Sequence, residues 1–353
     1  MGSVKDLTVL TTPTADELGV GKFTFSDRYS VFDWGEMPDH IPGKGQSLNM
    51  MAAYNFVELR KIGISSHFTS LYSEDADGDD AFDPSEPSDT MYVNLTRVLS
   101  IENDYAEFRK PYQHYLVPLE IIYRNGAPKG SSLFKKLERA RGDEKKFREI
   151  LDSLNLSEEP SPGDFFPEPV YDFTTKLEST DRPLTDEEAQ RISGLEDPAF
   201  GELTRLAQQV NEFITERCEQ VGLQHYDGKI ETMYNHGRIE LVDVLGTFDE
   251  NRFLYDGEQV SKEILRQAYK AYQPDWVESV SQAKKEAAAM DDSDWKSYCK
   301  KKPEPLPEDL ITLVSQIYQS GANLYLGNDT FKGVPPLKEL IPELKKQKEK
   351  LTA

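Results

Sequence analysis

The sequence is poor in cysteine and has no long apolar run. Its only cysteines among 353 residues are Cys218 and Cys299, which are too few for a disulfide framework and are not spaced like metal ligands. No stretch approaches the roughly 20 apolar residues that cross a bilayer, and the first residues lack the basic and apolar segments of a signal peptide. We therefore expect a protein of the reducing cytoplasm, without a membrane-spanning segment.

Basic residues are outnumbered by acidic ones. The chain has 41 Lys and Arg against 63 Asp and Glu, which gives a formal net charge of −22. Such a surface repels nucleic acids and anionic membranes, whereas a local basic pocket can still bind a phosphate, because pairing at contact distance outweighs a screened, distant charge. The composition therefore favours small-molecule substrates over nucleic acid or membrane partners. It leaves the oligomeric state open, a homo-oligomer included.

The pattern of apolar residues predicts two parts. At 37% hydrophobic residues the chain is too apolar for disorder and long enough for about two domains. The first part, residues 1–116, should be rich in strands, with hairpins over 4–30, strands over 66–72 and 90–100, and an amphipathic helix over 48–62. The second part, 117–353, should mix predicted strands (117–124, 223–230, 238–244) with predicted helices (133–152, 185–193, 202–221, 261–272, 308–319, 337–350). The tail from residue 275 onward is expected to pack peripherally.

An acidic insertion at residues 74–89 interrupts the first part. Asp75, Asp77, Asp79 and Glu86 fall at positions one, three, five and twelve of a calcium-binding loop. Asp80, however, occupies the sixth position, where the sharp turn of such a loop needs glycine. A solvated acidic loop is therefore the favoured interpretation, and a calcium site is the alternative.

The densest group of charged residues follows the pattern D-x-K-x-E. Asp227, Lys229 and Glu231 are two residues apart and share one face of a strand, and the next strand of the hairpin can bring Asp243 beside Glu231. Carboxylates that lie so close are costly unless a cation neutralises them, and Mg²⁺ prefers such oxygen ligands together with phosphate oxygens. The functional interpretation is a nucleotide–magnesium site. The alternative is an exposed hairpin face held by salt bridges.

Two further segments carry residues suited to binding anions. Arg124 ends an apolar strand and is followed by a Gly-Ser turn that contains Ser131, so a guanidinium, a hydroxyl and backbone N–H groups come together. Lys44 lies between two glycines just before the first predicted helix, where the positive end of the helix favours anions. Each segment taken alone is also compatible with an ordinary strand end or a solvated loop.

The order of these segments along the chain is more specific than any one of them. Together they resemble the SAICAR synthetase family, the phosphoribosylaminoimidazole-succinocarboxamide synthases, over about residues 2–270. The segments that carry the resemblance are D-R-x-S-x-F-D from Asp27, I-P-G-K-G from Ile41, V-P-x-E-x-x-x-R-N from Val117, F-x-T-K-x-E from Phe173, D-x-K-x-E from Asp227 and D-x-x-x-T-x-D-x-x-R from Asp243.

The resemblance implies an α+β fold in which a kinase-like, β-rich nucleotide lobe and a larger α/β lobe enclose the active site between them. It also implies ligation of the carboxylate of carboxyaminoimidazole ribotide (CAIR) to the amine of L-aspartate, with ATP and Mg²⁺, in purine biosynthesis. Residues 1–116 are then the nucleotide lobe and 117–353 the substrate and metal lobe, with 275–353 as a helical extension. Two alternatives stay open: a related ligase with another substrate pair, and a non-catalytic nucleotide-binding protein.

Transferred motif by motif, the resemblance assigns roles to ten residues. The implied Mg²⁺ ligands are Glu231 and Asp243, and the implied ATP-binding residues are Lys5, Lys229 and Glu231. The implied catalytic residues are Lys229, Asp227 and Arg252. The implied substrate-binding residues are Arg124, Ser131, Arg252, Lys44 and Lys176.

Several positions depart from the family's motifs. Ser3 stands where the nucleotide loop usually has lysine, and Val244 where a glutamate normally follows the aspartate. The other departures are Thr232 and Met233 in place of Phe-Gly, Phe248 in place of proline, and Glu250 and Asn251 in place of Ser-Ser. Because the carboxylates and arginines of the implied site are all present, the sequence indicates a divergent but active enzyme.

Overall fold

The first part of the chain forms a four-stranded antiparallel sheet backed by a helix. The computed structural model describes residues 4–74, 81–290, 292 and 294–352. The strands are β1 (Lys5–Thr11), β2 (Gly19–Phe25), β3 (Phe68–Ser70) and β4 (Thr90–Leu95), in the order β1-β2-β4-β3. Helix α1 (Lys44–Lys61) packs against β2 and β4. Most of the calcium-loop pattern, from Asp75 to Asp80, lies outside the described residues.

The second part is built on a seven-stranded antiparallel sheet. Its strands are β5 (His114–Gly126), β6 (Phe165–Thr175), β7 (Pro183–Leu184), β8 (Gln224–Asn235), β9 (Arg238–Val242), β10 (Arg252–Tyr255) and β11 (Glu258–Gln259). The order is β11-β10-β8-β5-β6-β7, and β9 pairs with β8. β5 begins just ahead of the predicted boundary at residues 116 and 117 and occupies the middle of the sheet, where most of its residues are buried. The sequence analysis predicts β5 and the β8–β9 hairpin but not β6.

Helices cover the faces of both sheets. They are α2 (Glu102–Tyr105), α3 (Ser132–Ala140), α4 (Glu144–Asp152), α5 (Asp186–Ser193), α6 (Ala199–Val221), α7 (Glu263–Tyr272), α8 (Pro274–Ala289), α9 (Glu308–Leu326) and α10 (Leu337–Thr352). The predicted helix over 133–152 is two helices, α3 and α4. The second helix begins after Asp143, its N-cap residue, whose side chain accepts a hydrogen bond from the Lys146 N–H. In the part of the chain that the structure describes, no helix is long and apolar enough to cross a membrane.

The two sheets are joined by hydrogen bonds and share one hydrophobic core. The His67 N–H donates to the Leu241 carbonyl at 2.8 Å, and the Leu241 N–H donates to the Ser65 carbonyl at 3.0 Å. One continuous cluster of buried apolar side chains runs from Phe23 in the first sheet to Phe253 in the second. The fold is therefore α+β, and the space between the sheets is bordered by both of them.

The tail is not peripheral, which corrects the expectation from the sequence. Helix α9 lies in the core, where Tyr318 and Tyr325 are fully buried. The Tyr325 hydroxyl donates to Asn55 of α1 at 2.8 Å, so the C-terminal third of the chain is held against the first part. The buried apolar residues of α9 recur at three- and four-residue spacing, as Leu310, Leu313, Val314 and Ile317 do, so the sequence does carry a signal for this burial.

Candidate active site

Two lysines and two glutamates meet on the central strands of the larger sheet. Glu120 of β5 lies opposite Glu231 of β8, and Lys229 precedes Glu231 by two residues on the same face. Lys176, at the end of β6, places its Nζ 2.6 Å from Glu231 Oε1 and 3.2 Å from Glu120 Oε1. The Nζ of Lys229 lies 2.7 Å from Glu120 Oε1 and 3.9 Å from Glu231 Oε1. We call these four residues the Lys–Glu cluster.

The electrostatics of the Lys–Glu cluster come from burial and from its internal pairing. Glu120 and Glu231 are buried, whereas the two lysines keep more than a quarter of their side chains exposed. Burial opposes the ionisation of Glu120, but Lys229 and Lys176 outweigh it and hold its pKa below the usual value. The cluster therefore presents two partly exposed ammonium groups above buried carboxylates. Such an arrangement suits a polyanion that approaches from the open side.

Asp243 links this cluster to the first sheet. It follows the last residue of β9 with a positive φ of 63°, a conformation that aspartate adopts more readily than most residues. The Nζ of Lys5, in β1, lies 2.5 Å from Asp243 Oδ1, and the ring Nε2 of His67 lies 3.1 Å from the Asp243 carbonyl. Burial opposes ionisation of Asp243, but Lys5 outweighs it and lowers its pKa. Lys5, near the N-terminus, and Asp243, in the second part of the chain, thus meet between the sheets.

Glu231 and Asp243 lie close enough to affect each other's charge. Burial and then the charge of Asp243 raise the pKa of Glu231 to about 7, against the opposing effect of Lys176. A buried and a partly buried carboxylate with mutual repulsion are a donor set that fits a hard divalent cation. Among the described residues, no group of three or more His, Cys, Asp or Glu side chains is arranged to hold a metal. A cation here therefore needs further oxygen ligands from a bound molecule or water.

The predicted arginines gather around Asp227, further along β8. Asp227 lies opposite Arg124 of β5 on one side and opposite Arg252 of β10 on the other. Arg252 Nη2 lies 3.1 Å from Asp227 Oδ2, and Arg124 Nε lies 3.0 Å from Asp172 Oδ2. Burial raises the pKa of Asp227, while the two arginines oppose that shift. The arginines are thereby held in place by acidic partners rather than by substrate alone.

A cavity of about 200 Å³ opens at Arg124, while Arg252 is not among the residues that line it. Arg124, Ser131 and Asp227 line it, together with Thr174 and Lys136. Ser131 is also the N-cap of α3, where its side chain accepts a hydrogen bond from the Leu133 N–H at 3.3 Å. A larger cavity of about 540 Å³, bordered by α1, α6 and β9, contains none of the predicted site residues. We place the candidate substrate pocket at the smaller cavity because the charged groups converge there.

Lys44 does not face open space, which corrects its predicted position. Its side chain is fully buried, and its Nζ lies 2.9 Å from Asp249 Oδ2. Lys262 lies 3.6 Å from the same oxygen, and the Tyr318 hydroxyl donates to Asp249 Oδ1 at 2.9 Å. Burial lowers the pKa of Lys44, although Asp249 opposes that shift. The glycine before it has a positive φ of 76°, and the Asp27 carboxylate accepts hydrogen bonds from the N–H groups of both flanking glycines.

Sequence reasoning gave no role to Glu120 and Glu250. Glu120 accepts hydrogen bonds from both lysines of the Lys–Glu cluster, and Glu250 Oε2 lies 3.5 Å from the Nζ of Lys229. A signal for Glu120 exists in the sequence, because an acidic residue between Leu119 and Ile121 in an apolar strand needs a buried partner. Glu250 stands in an irregular segment, where sequence spacing does not indicate direction.

Solved structures of SAICAR synthetases share this fold. The SAICAR synthase of Saccharomyces cerevisiae, solved in complex with SAICAR, matches 93% of this chain and 94% of its own with a TM-score of 0.60 and 19% identity. A type-2 SAICAR synthetase solved in complex with ADP matches 75% of this chain and 88% of its own with a TM-score of 0.53 and 19% identity. At these identities the likeness establishes the class of fold.

Sequence comparisons identify the family. The family model described as SAICAR synthetase matches residues 8–283. A protein of Archaeoglobus fulgidus, named as a candidate phosphoribosylaminoimidazole-succinocarboxamide synthase, is 41% identical over 357 residues, which cover 98% of this chain and 99% of that protein. The chain belongs to the SAICAR synthetase family.

Proposed function

We propose that this protein joins the carboxylate of CAIR to the amine of L-aspartate, with ATP as the energy source, and releases SAICAR, ADP and phosphate. The observation that carries the proposal is the arrangement along β8. Asp227 holds Arg252 beside the cavity, and Lys229 and Glu231 of the Lys–Glu cluster follow on the same strand. Since a strand rises about 3.4 Å per residue, Lys229 lies about 7 Å along the strand from Asp227. A sugar phosphate and a nucleotide bound at these two places have their reacting groups close together.

The chemistry requires anions to be positioned and neutralised. A carboxylate is a poor electrophile, so its oxygen first attacks the γ-phosphorus of ATP, and the bond to the β–γ bridging oxygen breaks to release ADP. The ammonium group of aspartate loses a proton to solvent, and the resulting amine attacks the carbon of the acyl phosphate. The C–N bond forms, the C–O bond to phosphate breaks, and inorganic phosphate leaves with the electron pair while the nitrogen releases a second proton, which the phosphate takes up. Most of the protein's contribution is therefore placement and charge compensation.

The site residues form two groups, one on the nucleotide side and one on the substrate side. Lys5, Lys229 and Glu231 border the nucleotide side, where ammonium groups pair with phosphate oxygens. Glu231 and Asp243 are the residues that would hold Mg²⁺, which shields the charges of the phosphates when it is bound. This assignment is supported by the raised pKa of Glu231, caused by burial and by Asp243, because a cation relieves that repulsion.

The substrate side uses the cavity and its rim. Arg124 and Ser131 line the cavity and suit the phosphate of CAIR, since a guanidinium and a hydroxyl both donate to phosphate oxygens. Arg252, held by Asp227, and Lys176, at the edge of the Lys–Glu cluster, suit the carboxylates of the two substrates. Lys44 reaches the site only through Asp249, so we assign it to holding its loop rather than to substrate.

The proposal is tested by following ADP and phosphate release. Release should require ATP, CAIR and aspartate together, and omission of either CAIR or aspartate should abolish formation of the amide. Amide formation with a different carboxylate and amine, but not with this pair, would favour a related ligase. Nucleotide binding without any turnover, for the tested pair and for other pairs, would favour a binding protein and overturn the proposal.

A further inference from the structure

Behind the two arginines lies a buried polar network that the proposed chemistry does not use. Asn125 and Asn251, the chain neighbours of Arg124 and Arg252, are both buried, at 7% and 3% exposure. Both contact His225 of β8, which is 2% exposed. The Nδ2 of Asn251 lies 2.8 Å from the ring Nε2 of His225, and the Nδ2 of Asn125 lies 3.3 Å from its ring Nδ1. One imidazole thus connects the three strands that carry the arginines and Asp227.

A bulge in β8 places the side chains of His225 and Asp227 on opposite faces of the sheet. Arg252 pairs with Asp227, but the next residue, Phe253, pairs with His225, so Tyr226 is an extra residue on β8. In a regular strand, residues two apart share a face, and His225 would then point the same way as Asp227. The extra residue turns His225 to the buried side while Asp227 stays at the cavity. The network therefore lies directly behind the charged groups.

The orientation of the Asn251 amide indicates the form of the imidazole. The Asn251 amide donates to the Tyr123 hydroxyl at 2.9 Å and to His225 Nε2 at 2.8 Å, so Nε2 is an acceptor. The proton is then on Nδ1, which donates to Thr215 Oγ1 at 2.9 Å. Burial lowers the pKa of His225 to about 3, so the ring is neutral at physiological pH.

Arg124 has a chain neighbour in the same network. Asn125 donates to the backbone carbonyl of His225 at 3.3 Å and exchanges two hydrogen bonds with Asn211 of α6, at 2.9 Å and 2.7 Å. Substitution of the ring leaves that carbonyl in place, so Asn251 is the asparagine that loses a partner and Arg252 is the arginine that is loosened. The nucleotide side lies further along β8, at Lys229 and Glu231, and Glu250, the chain neighbour of Asn251, lies 3.5 Å from Lys229.

We propose that His225, with its imidazole protonated on Nδ1, is a positioning residue that fixes Arg252 for a sugar phosphate. The inference rests on the proposed function for the identity of that substrate. His225 touches no substrate itself. It acts through Asn251, to which its Nε2 must offer a hydrogen-bond acceptor.

Two substitutions separate this role from simple packing. His225→Leu keeps a similar volume but offers Asn251 no acceptor, whereas His225→Gln can place its Oε1 where Nε2 was. For His225→Leu we expect the KM for CAIR to rise about tenfold, with the KM for ATP changed by less than about twofold. His225→Gln should return the KM for CAIR to within about threefold of the unmodified enzyme. Equal effects of the two substitutions, or an equal rise in both KM values, would overturn the proposal.

Two further measurements do not depend on turnover. Binding of ribose 5-phosphate, followed by calorimetry, should weaken about tenfold in His225→Leu and recover in His225→Gln. In ¹⁵N NMR of histidine-labelled protein, His225 should show an unprotonated Nε2 and a protonated Nδ1. A protonated Nε2 would overturn the proposal even if the variants failed to fold. A wild-type protein that binds ribose 5-phosphate but ligates no CAIR would contradict the proposed function and leave this inference standing.

Discussion

Glu231 and Asp243 are the residues at which a small change of charge should have the largest effect. Glu231→Gln and Asp243→Asn keep shape and volume but remove the negative charge that a divalent cation needs. We expect each to lower kcat by at least about 100-fold, which corresponds to the loss of an electrostatic contact in the transition state. Steady-state kinetics over a range of Mg²⁺ concentrations checks this.

Asp256→Asn is the matched control for these substitutions. Asp256 also has a positive φ and also pairs with a lysine, Lys345, at 2.7 Å, but it is exposed and distant from the site. Its substitution should leave kcat unchanged, because exposed ion pairs contribute little. Near-normal turnover of Asp243→Asn at limiting Mg²⁺ would show that the metal assignment is wrong.

Among the buried histidines His67, His114 and His225, the strongly lowered pKa values of His67 and His225 make stability depend on pH. Burial lowers the pKa of His67 to about 4 and that of His225 to about 3, from an ordinary value of 6.5. Below pH 6.5 the unfolded chain therefore binds protons at these two histidines, whereas the folded chain does not. This contribution to stability is fully present above pH 6.5 and is lost as the pH falls towards 4. Each histidine should contribute a slope of about 1.4 kcal/mol per pH unit in that window.

Urea unfolding at several pH values between 6.5 and 4.5 measures this slope. In His225→Gln the slope of the unfolding free energy should fall by about 1.4 kcal/mol per pH unit, since one of the two groups is gone. An unchanged slope would mean that His225 is already protonated in the folded protein.

Strand alternation predicts Asp227, Lys229 and Glu231 of the candidate site from their spacing, whereas Lys5, Lys176 and Arg252 are assigned only by the family resemblance. The spacing of Lys229 and Glu231 puts them on one face, and the structure has them there. It does not predict what each ammonium contacts. Glu120 comes from a strand more than a hundred residues away, and the position of Lys44 is decided by Asp249 and by a helix of the tail. Such pairings depend on tertiary packing, which no local pattern encodes.

At the scale of the element, helix α9 holds the loops that border the site. Its Tyr318 donates to Asp249, and its Ser315 Oγ donates to the Pro42 carbonyl at 2.6 Å. Gly321 lies so close to the ring of Phe248 that an added Cβ would come within 2.4 Å of it. The tail therefore supports both the turn that carries Lys44 and the segment that follows Asp243.

Removing one hydroxyl tests this support. Tyr318→Phe keeps the packing but leaves the buried Asp249 without one donor, so we expect the unfolding free energy to fall by about 1–3 kcal/mol. Tyr298→Phe is the control, since the Tyr298 hydroxyl donates to Asp292 at 2.9 Å in an exposed setting and its loss should cost little. Thermal and urea denaturation of both variants checks the difference. Equal losses for the two variants would show that the hydrogen bond from Tyr318 of α9 stabilises the protein no more than an exposed one does.

Among the elements that escaped prediction, β6 and α8 did so for identifiable reasons. β6 contains Pro167 and Pro169, which argue against a strand, but both lie where the pairing with β5 shifts register, so no ladder hydrogen bond is lost. Helix α8 buries Trp276, Val280 and two alanines in an otherwise polar segment. Alanine adds little hydrophobicity, so the stripe that faces the core is faint in the sequence.

At the scale of the whole molecule, the continuous core argues for one cooperative unit. The predicted lobes, 1–116 and 117–353, share buried apolar side chains across both sheets, and hydrogen bonds join the segment before β3 to β9. We expect a single calorimetric transition, with a ratio of calorimetric to van't Hoff enthalpy of about one. Two separated transitions would show that the lobes unfold independently. The isolated segment 1–116 should not fold, because it would expose the apolar face that α9 and the larger sheet cover.

The ion pair between Lys5 and Asp243 spans the two sheets at the site itself. In the free protein, Asp243 pairs with Lys5, and Glu231 pairs with Lys176. These two carboxylates are the ones that would hold the cation of a nucleotide. On the proposed assignment, the lysines would pair with phosphate oxygens and the carboxylates would bind the cation. The ion pair that joins the two sheets in the free protein would then have to separate when the nucleotide binds.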